Sequence, residues 1–323
     1  MITHTLPPSP LPARQPTGHK GTFGTVAVVG GCAVGNIRML GAPVLSARAA
    51  LRGGCGLVKL FVPQSLVELA LGLLPSATAR ALPQDADGDV PPTAGAEAID
   101  AAVGTAECVV IGPGLGTSPG AAHLAMRAVH QVDTHVVLDA DGINALTTIP
   151  EFAVEIHAAL VITPHPGEFA RLADALNMHV DAAALAEPAM RVQHAAAVAQ
   201  RLGCIVVLKG AGTVVTDGLR TYVNDTGNDA LATAGTGDVL AGLIGSLIAQ
   251  HVGPPPHPRP WPMPAKPRPV DKPLDAFAAA CLAVRAHGLA AEVWQKSHSA
   301  LAGLLAEELA DCLPTALDSL RSK

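Results

Sequence analysis

The run Asn224-Asp-Thr-Gly-Asn-Asp-Ala-Leu-Ala-Thr-Ala-Gly-Thr-Gly-Asp238 leads straight into an apolar stretch over 239–249. Gly235 and Gly237 free the backbone to turn, so successive amides and a helix N-terminus can converge on one anion. Phosphate is the natural guest of an anion hole made by Gly235, Thr236 and Gly237. Asp238 then opens the helix with its carboxylate toward that guest, where it can take a proton from an attacking hydroxyl. Alone, Gly-Thr-Gly-Asp reads equally well as a capped helix start. The Asn- and Asp-bearing loop ahead of it favours the phosphate reading.

Working outward, short β-branched runs at 25–29, 57–62, 108–111, 135–138, 160–162 and 205–208 each end at glycine or a polar residue. They read as buried strands. Ala- and Leu-rich segments of helical spacing lie between them, around 42–52, 119–130, 167–176 and 189–202. Strand and helix alternate, which predicts an α/β fold with a mainly parallel sheet covered on both faces. Asp217 and Gly218 divide two β-branched runs and predict a hairpin over 213–223. Two Ala-rich helices, 275–296 and 299–312, are expected to close the chain.

The totals agree with that architecture. Hydrophobic residues make up 49% of the 323, aromatic ones only 2% and charged ones 15%, so the core must be built from small aliphatics. A net charge of -6 with scattered Lys and Arg leaves no basic stripe for a nucleic acid. The segment 239–249 is too short to span a bilayer, and no signal-peptide core opens the chain. The expectation is a cytoplasmic protein with no membrane or nucleic-acid partner. Six cysteines show no zinc-ligand spacing. Residues 1–18 read as a disordered lead-in, 19–314 as a single domain with a Pro-rich insertion at 253–274, and 315–323 as a tail.

In such sheets ligands bind beyond the carboxyl ends of strands. Four motifs lie there: Gly112-Pro-Gly-Leu-Gly116, Asp139-Ala-Asp-Gly-Ile-Asn144, Thr163-Pro-His-Pro-Gly-Glu168 and Lys209-Gly-Ala-Gly-Thr213. They are expected to line one crevice. Each also has a plain structural reading. Glu168 suits a first helical turn by its charge, Lys209 to Thr213 can be a turn before the hairpin, and Asp141 can serve as a cap or supporting group as readily as a ligand.

The late Gly-Thr-Gly-Asp resembles the anion hole of ribokinase-like phosphotransferases, whose fold is a three-layer α/β/α sandwich. His165 narrows the resemblance, because vitamin kinases of that superfamily usually place Asn where the ADP-dependent NAD(P)H-hydrate dehydratases have His. The other three motifs are similar to the same family, as are His19-Lys-Gly-Thr-Phe-Gly24, Gly41-Ala42-Pro43 and the closing segment 298–314. The chain departs from the family where Cys32 replaces a Ser and Met39-Leu40 replaces a tyrosine-like residue.

The resemblance implies roles. Asp238 is the base; Ala42, Gly116, His165 and Asp238 contact hydrated NADH or NADPH; Lys209, Gly210, Ala211, Gly212, Thr213 and Gly237 bind the AMP part of ADP. Glu168 supports magnesium through water. It also implies ADP as phosphoryl-donor co-substrate, a possible separate NAD(P)H-hydrate epimerase as partner, and a homo-oligomer, tetramer or dimer. A vitamin-type alcohol kinase and a catalytically silent nucleotide-binding protein are the alternatives.

Overall fold

The computed structural model describes residues 2–4, 6–255 and 272–321. In chain order the strands and helices are β1 (Ile2–His4), β2 (Thr25–Val29), α1 (Gly41–Arg52), β3 (Leu57–Pro63), α2 (Val67–Leu73), β4 (Thr78–Leu82), α3 (Pro92–Val103), β5 (Cys108–Ile111), α4 (Pro119–Val129), β6 (His135–Leu138), α5 (Asp141–Leu146), β7 (Ala159–Ile162), α6 (Pro166–Ala175), α7 (Pro188–Leu202), β8 (Ile205–Leu208), β9 (Val214–Thr216), β10 (Arg220–Val223), α8 (Thr236–His251), α9 (Ala276–His298) and α10 (Ala306–Ser319). They form one sheet in the order β1-β10-β9-β8-β7-β6-β5-β2-β3-β4. Every neighbouring pair from β8 through to β4 is parallel, and the β9–β10 hairpin adds the antiparallel edge.

Alternation along the strands assigns the layers. Val26, Val28, Val110, Val137, Val161 and Val207 face α1, α8, α9 and α10. Their neighbours Val29, Val109, Ile111, Val136, Leu138 and Val206 face the helices α3 to α7. Both faces are dry, which is why these strands read as continuous apolar runs. Helix α8 is buried over nearly its whole length. It lies close to α1 because Gly242 has no side chain: a Cβ there would strike the Ser46 backbone. Helix α9 is long and apolar enough to cross a membrane by length and composition alone, yet it lies largely inside the protein, packed on α8 and α10.

Three expectations need correction. Part of the supposed lead-in is ordered: β1 pairs in parallel with β10. Leu11 is fully buried, with its amide donating to the Leu320 carbonyl at 2.9 Å. Its prolines did not prevent this, because an edge strand and a buried plug need few ladder amides. The last helix begins at Ala306 rather than 299, since Ser299 adopts a left-handed φ of 52° that ends α9. Glu308 fixes the new start by accepting from the Leu305 amide at 2.9 Å. That helix then runs through Pro314 to Ser319, so most of the expected tail is helical. Of the Pro-rich insertion, 256–271 lie outside the described residues.

Candidate functional site

The site grows from the carboxyl ends of β6, β7 and β8. Asp139 follows β6, and Ala140 turns the chain away with a φ of 48°, a costly conformation for a residue with a Cβ. The Asp139 side chain is 1% exposed. Its Oδ1 accepts from Thr163 Oγ1 and Lys209 Nζ, both at 2.7 Å, which ties the ends of β6, β7 and β8 together. Its buried Oδ2 has no protein partner among the described residues.

Lys209 Nζ also lies 3.8 Å from Glu168 Oε2. Burial works against the charge of this ammonium, but Asp139 and Glu168 outweigh it and hold the Lys209 pKa above its ordinary value. Glu168 is pushed up by burial, with Lys209 pulling the other way. His165 and Glu168 hold each other through a capping box: His165 Nδ1 accepts from the Gly167 and Glu168 amides, and Glu168 Oε2 accepts from the His165 amide at 2.8 Å. Because Nδ1 accepts, the proton of a neutral imidazole rests on Nε2. The capping reading of this motif is therefore real; it leaves the ring half-exposed, with Nε2 3.4 Å from Glu168 Oε1.

Asp238 enters from the first turn of α8. Gly235 makes the turn possible with a φ of 91°. The Asp238 carbonyl accepts from Ser46 Oγ at 2.8 Å, fixing the turn to α1. Burial, then the like charge of Asp139, pushes the Asp238 carboxyl up to about 7, against the pull of Lys209. Among the described residues no group hydrogen-bonds that carboxylate. A carboxylate held at such a value beside a helix N-terminus is suited to take a proton near neutral pH.

Next to this cluster lies a cavity of about 620 Å³, bounded by the 209–213 loop, the 224–229 loop and α9 at Val284, His287 and Gly288. Its size suits a nucleoside. Lys209, Gly210, Ala211, Gly212, Thr213, Thr236 and Gly237 all line it. Gly237 and Lys209 meet at the boundary with the acidic cluster, since a Cβ on Gly237 would be 3.3 Å from Lys209 Nζ. On the other side Ala42 meets Gly114, and the Gly116 amide donates to Asp141 Oδ2 at 3.0 Å. One Asp141 oxygen is thus engaged by the backbone of the 112–116 loop. Cys32 and Met39 pair with each other and both face Gly116, so the two departures from the family pattern fall together on one wall.

Sequence reasoning missed three residues that shape this site. Arg191 of α7 donates to the Leu208 and Lys209 carbonyls at 3.0 Å each, under the 209–213 loop. His287 Nε2 meets the Thr236 carbonyl at 2.8 Å. Glu292 accepts from the Gly227 amide at 2.9 Å and holds the 224–229 loop. All three bind backbone of other elements, at least 17 residues away in the chain, which leaves no local pattern to read.

A mainly parallel three-layer sheet, with a glycine cradle and a carboxylate opening a late buried helix beside a nucleoside-sized cavity, defines a ribokinase-like α/β fold with a candidate nucleotide site. Residues 26–315 match the family described as NAD(P)H-hydrate dehydratase. The chain is 39% identical over 307 residues to an ADP-dependent (S)-NAD(P)H-hydrate dehydratase of Neisseria meningitidis, covering 94% of this chain and 88% of that one. It is 37% identical over 305 residues to a bifunctional NAD(P)H-hydrate repair enzyme of Salinibacter ruber, covering 94% of this chain and 50% of the relative. The chain thus spans about half the length of the bifunctional relatives it matches. A solved ADP/ATP-dependent NAD(P)H-hydrate dehydratase from Bacillus subtilis, co-crystallised with ATP and magnesium, matches with a TM-score of 0.74 at 30% identity, covering 96% of this chain and 95% of that one. The chain belongs to the NAD(P)H-hydrate dehydratase family.

Whether these residues suit a divalent cation can be judged from the donors. Asp139, Glu168 and Asp238 all act on the Lys209 ammonium, and among the described residues the buried Asp139 Oδ2 atom has no partner. Hard oxygen donors with one orphaned carboxylate oxygen fit magnesium.

Proposed function

We propose that the chain returns the S epimer of hydrated NADH or NADPH to the reduced cofactor, with ADP as phosphoryl donor and AMP and phosphate as products. The observation that carries this reading is the Asp238 carboxyl, pushed up to about 7 and open beside the Gly235, Thr236 and Gly237 cradle. Hydroxide is a poor leaving group at neutral pH. Asp238 takes the proton of the ring hydroxyl as its oxygen attacks the terminal phosphorus of ADP, so the P–O bond to AMP breaks and a phosphate ester forms. The lone pair of the adjacent ring nitrogen then expels phosphate, and loss of a proton from the neighbouring carbon restores the double bond.

In this reading the cavity beside Lys209 to Thr213 and Gly237 holds the adenosine part, while Ala42, Gly116 and the half-exposed ring of His165 meet the hydrated nucleotide. Magnesium bound with the nucleotide would neutralise the phosphates, with Asp139 and Glu168 the groups to hold it, Glu168 through water. Lys209 adds positive charge at the cradle and orients Asp139. The same reading places the protein in the cytoplasm as a homo-oligomer, tetramer or dimer, which light scattering checks.

The test mixes the purified protein with ADP, magnesium and hydrated NADH and follows the return of the reduced-cofactor absorbance. Recovery that depends on ADP is expected. Absence of any recovery, or phosphorylation of a vitamin alcohol instead, overturns the reading.

A further inference from the structure

At the opposite end of the sheet, three side chains converge that the proposed reaction leaves unused. His130 follows the last residue of α4, Glu155 ends a short turn at Phe152–Glu155, and His157 precedes β7. Each offers one ligand atom, and these atoms all lie within 4.8 Å of one another. His130 Nδ1 and Glu155 Oε2 are 3.4 Å apart, and the two imidazole centroids are 4.7 Å apart. All three side chains are exposed.

From these positions we infer a divalent transition-metal site, with zinc as its natural occupant and water as the fourth ligand. Bonds of about 2.0–2.1 Å in a tetrahedron put neighbouring ligand atoms about 3.4 Å apart, the separation already present between His130 and Glu155. Small rotations of the exposed His157 ring bring in the third ligand. Two imidazoles with one carboxylate favour a borderline ion over magnesium, which prefers oxygen alone. The plain alternative, a His130–Glu155 contact beside a tilted His130–His157 ring contact, requires no metal, and zinc titration separates the two.

The backbone is set in advance. The His157 and Ala158 amides both donate to the Val129 carbonyl at 2.9 Å, which fixes the two histidine positions relative to each other. Buried Phe152 anchors the turn that carries Glu155. A bound ion would therefore staple the end of α4 to the approach to β7. Lying at the amino ends of the strands, it would act on stability and not on the reacting groups.

The experiment uses tag-free protein, stripped with a chelator and dialysed into excess magnesium, then titrated with zinc by calorimetry. One saturable site of micromolar affinity or better is expected, together with a rise in Tm. Cobalt in place of zinc should give the visible bands of a tetrahedral site. His157→Ala and Glu155→Gln should each weaken binding by about tenfold or more, while ADP-dependent turnover in magnesium stays unchanged. No saturable binding at micromolar zinc, or binding equally tight in the double variant of His130→Ala and His157→Ala, overturns the inference.

Discussion

Asp238 combines two demands, proton acceptance and burial beside other carboxylates. As the free enzyme's base it must be ionised, and burial with Asp139 holds its pKa near 7. The rate at low substrate should therefore fall about tenfold per pH unit below that value and level off above it, measured as kcat/KM against pH. Asp238→Asn should lower turnover by about 10²- to 10⁴-fold while ADP still binds, checked by calorimetry. A flat pH profile would remove Asp238 from the base role. His287 works at one remove. Its ring donates to the Thr236 carbonyl, and burial lowers its pKa to about 4, so it stays neutral. His287→Phe should loosen the cradle and lower kcat more than it raises the KM for ADP, and His287→Gln should recover part of the loss. Equal losses in the two variants would mean that the hydrogen bond to the Thr236 carbonyl is not what His287 supplies. The sequence marked Asp238, Lys209 and Glu168 because glycines and prolines around them punctuate strand ends. It gave no sign of Arg191, His287 or Ser46, whose contacts join backbone groups far away in the chain.

At the scale of elements, legibility follows burial. The interior strands β2, β5, β6 and β8 have both faces covered and announce themselves as apolar runs. The edge strands do not: β4 is largely exposed and β1 is three residues long with a Pro-rich sequel. Helix α3 was also unread, because the Pro91-Pro92 pair that starts it reads as a loop until Pro92 is recognised as a first helical residue. The misplaced α10 came from counting 299–305 as helical spacing, although Gly303 and Ser299 both take left-handed φ values there. The contact of α1 with α8 yields a prediction. Gly242→Ala places a methyl against the Ser46 backbone, and Ser46 also holds the Asp238 carbonyl. The variant should lose about 1–3 kcal/mol of stability and lose turnover as well, because overpacking moves the turn that aims the carboxylate. A substitution at exposed Gly41, with nothing near its Cβ, serves as the control for helix position.

For the molecule as a whole, the site concentrates like charge in a protein whose net charge is already -6. Burial, then Asp139, Asp141 and Glu168, raise the Asp238 carboxyl, and Lys209 opposes them. A carboxyl whose folded pKa lies above its unfolded value binds its proton more tightly when folded. Its ionisation therefore costs stability above about pH 7, and that cost vanishes as pH falls toward the unfolded value near 3.8. The buried histidines have the opposite slope. His287 and His251, both lowered to about 4 by burial, take up protons more readily unfolded, so their contribution is lost as pH falls from about 6.5 toward 4. Wild-type melting mixes both slopes, but comparison with Asp238→Asn separates them. Without nucleotide or magnesium, the variant should melt higher than wild type at pH 8, by the equivalent of about 1–2 kcal/mol after allowing for relaxation and solvent access. The gap should shrink through pH 6 and close near pH 4. Calorimetric melting of the two proteins across that range decides the matter: a gap independent of pH would assign the stabilisation to the amide itself, and no gap at pH 8 would mean that the carboxylate is not strained in the folded protein.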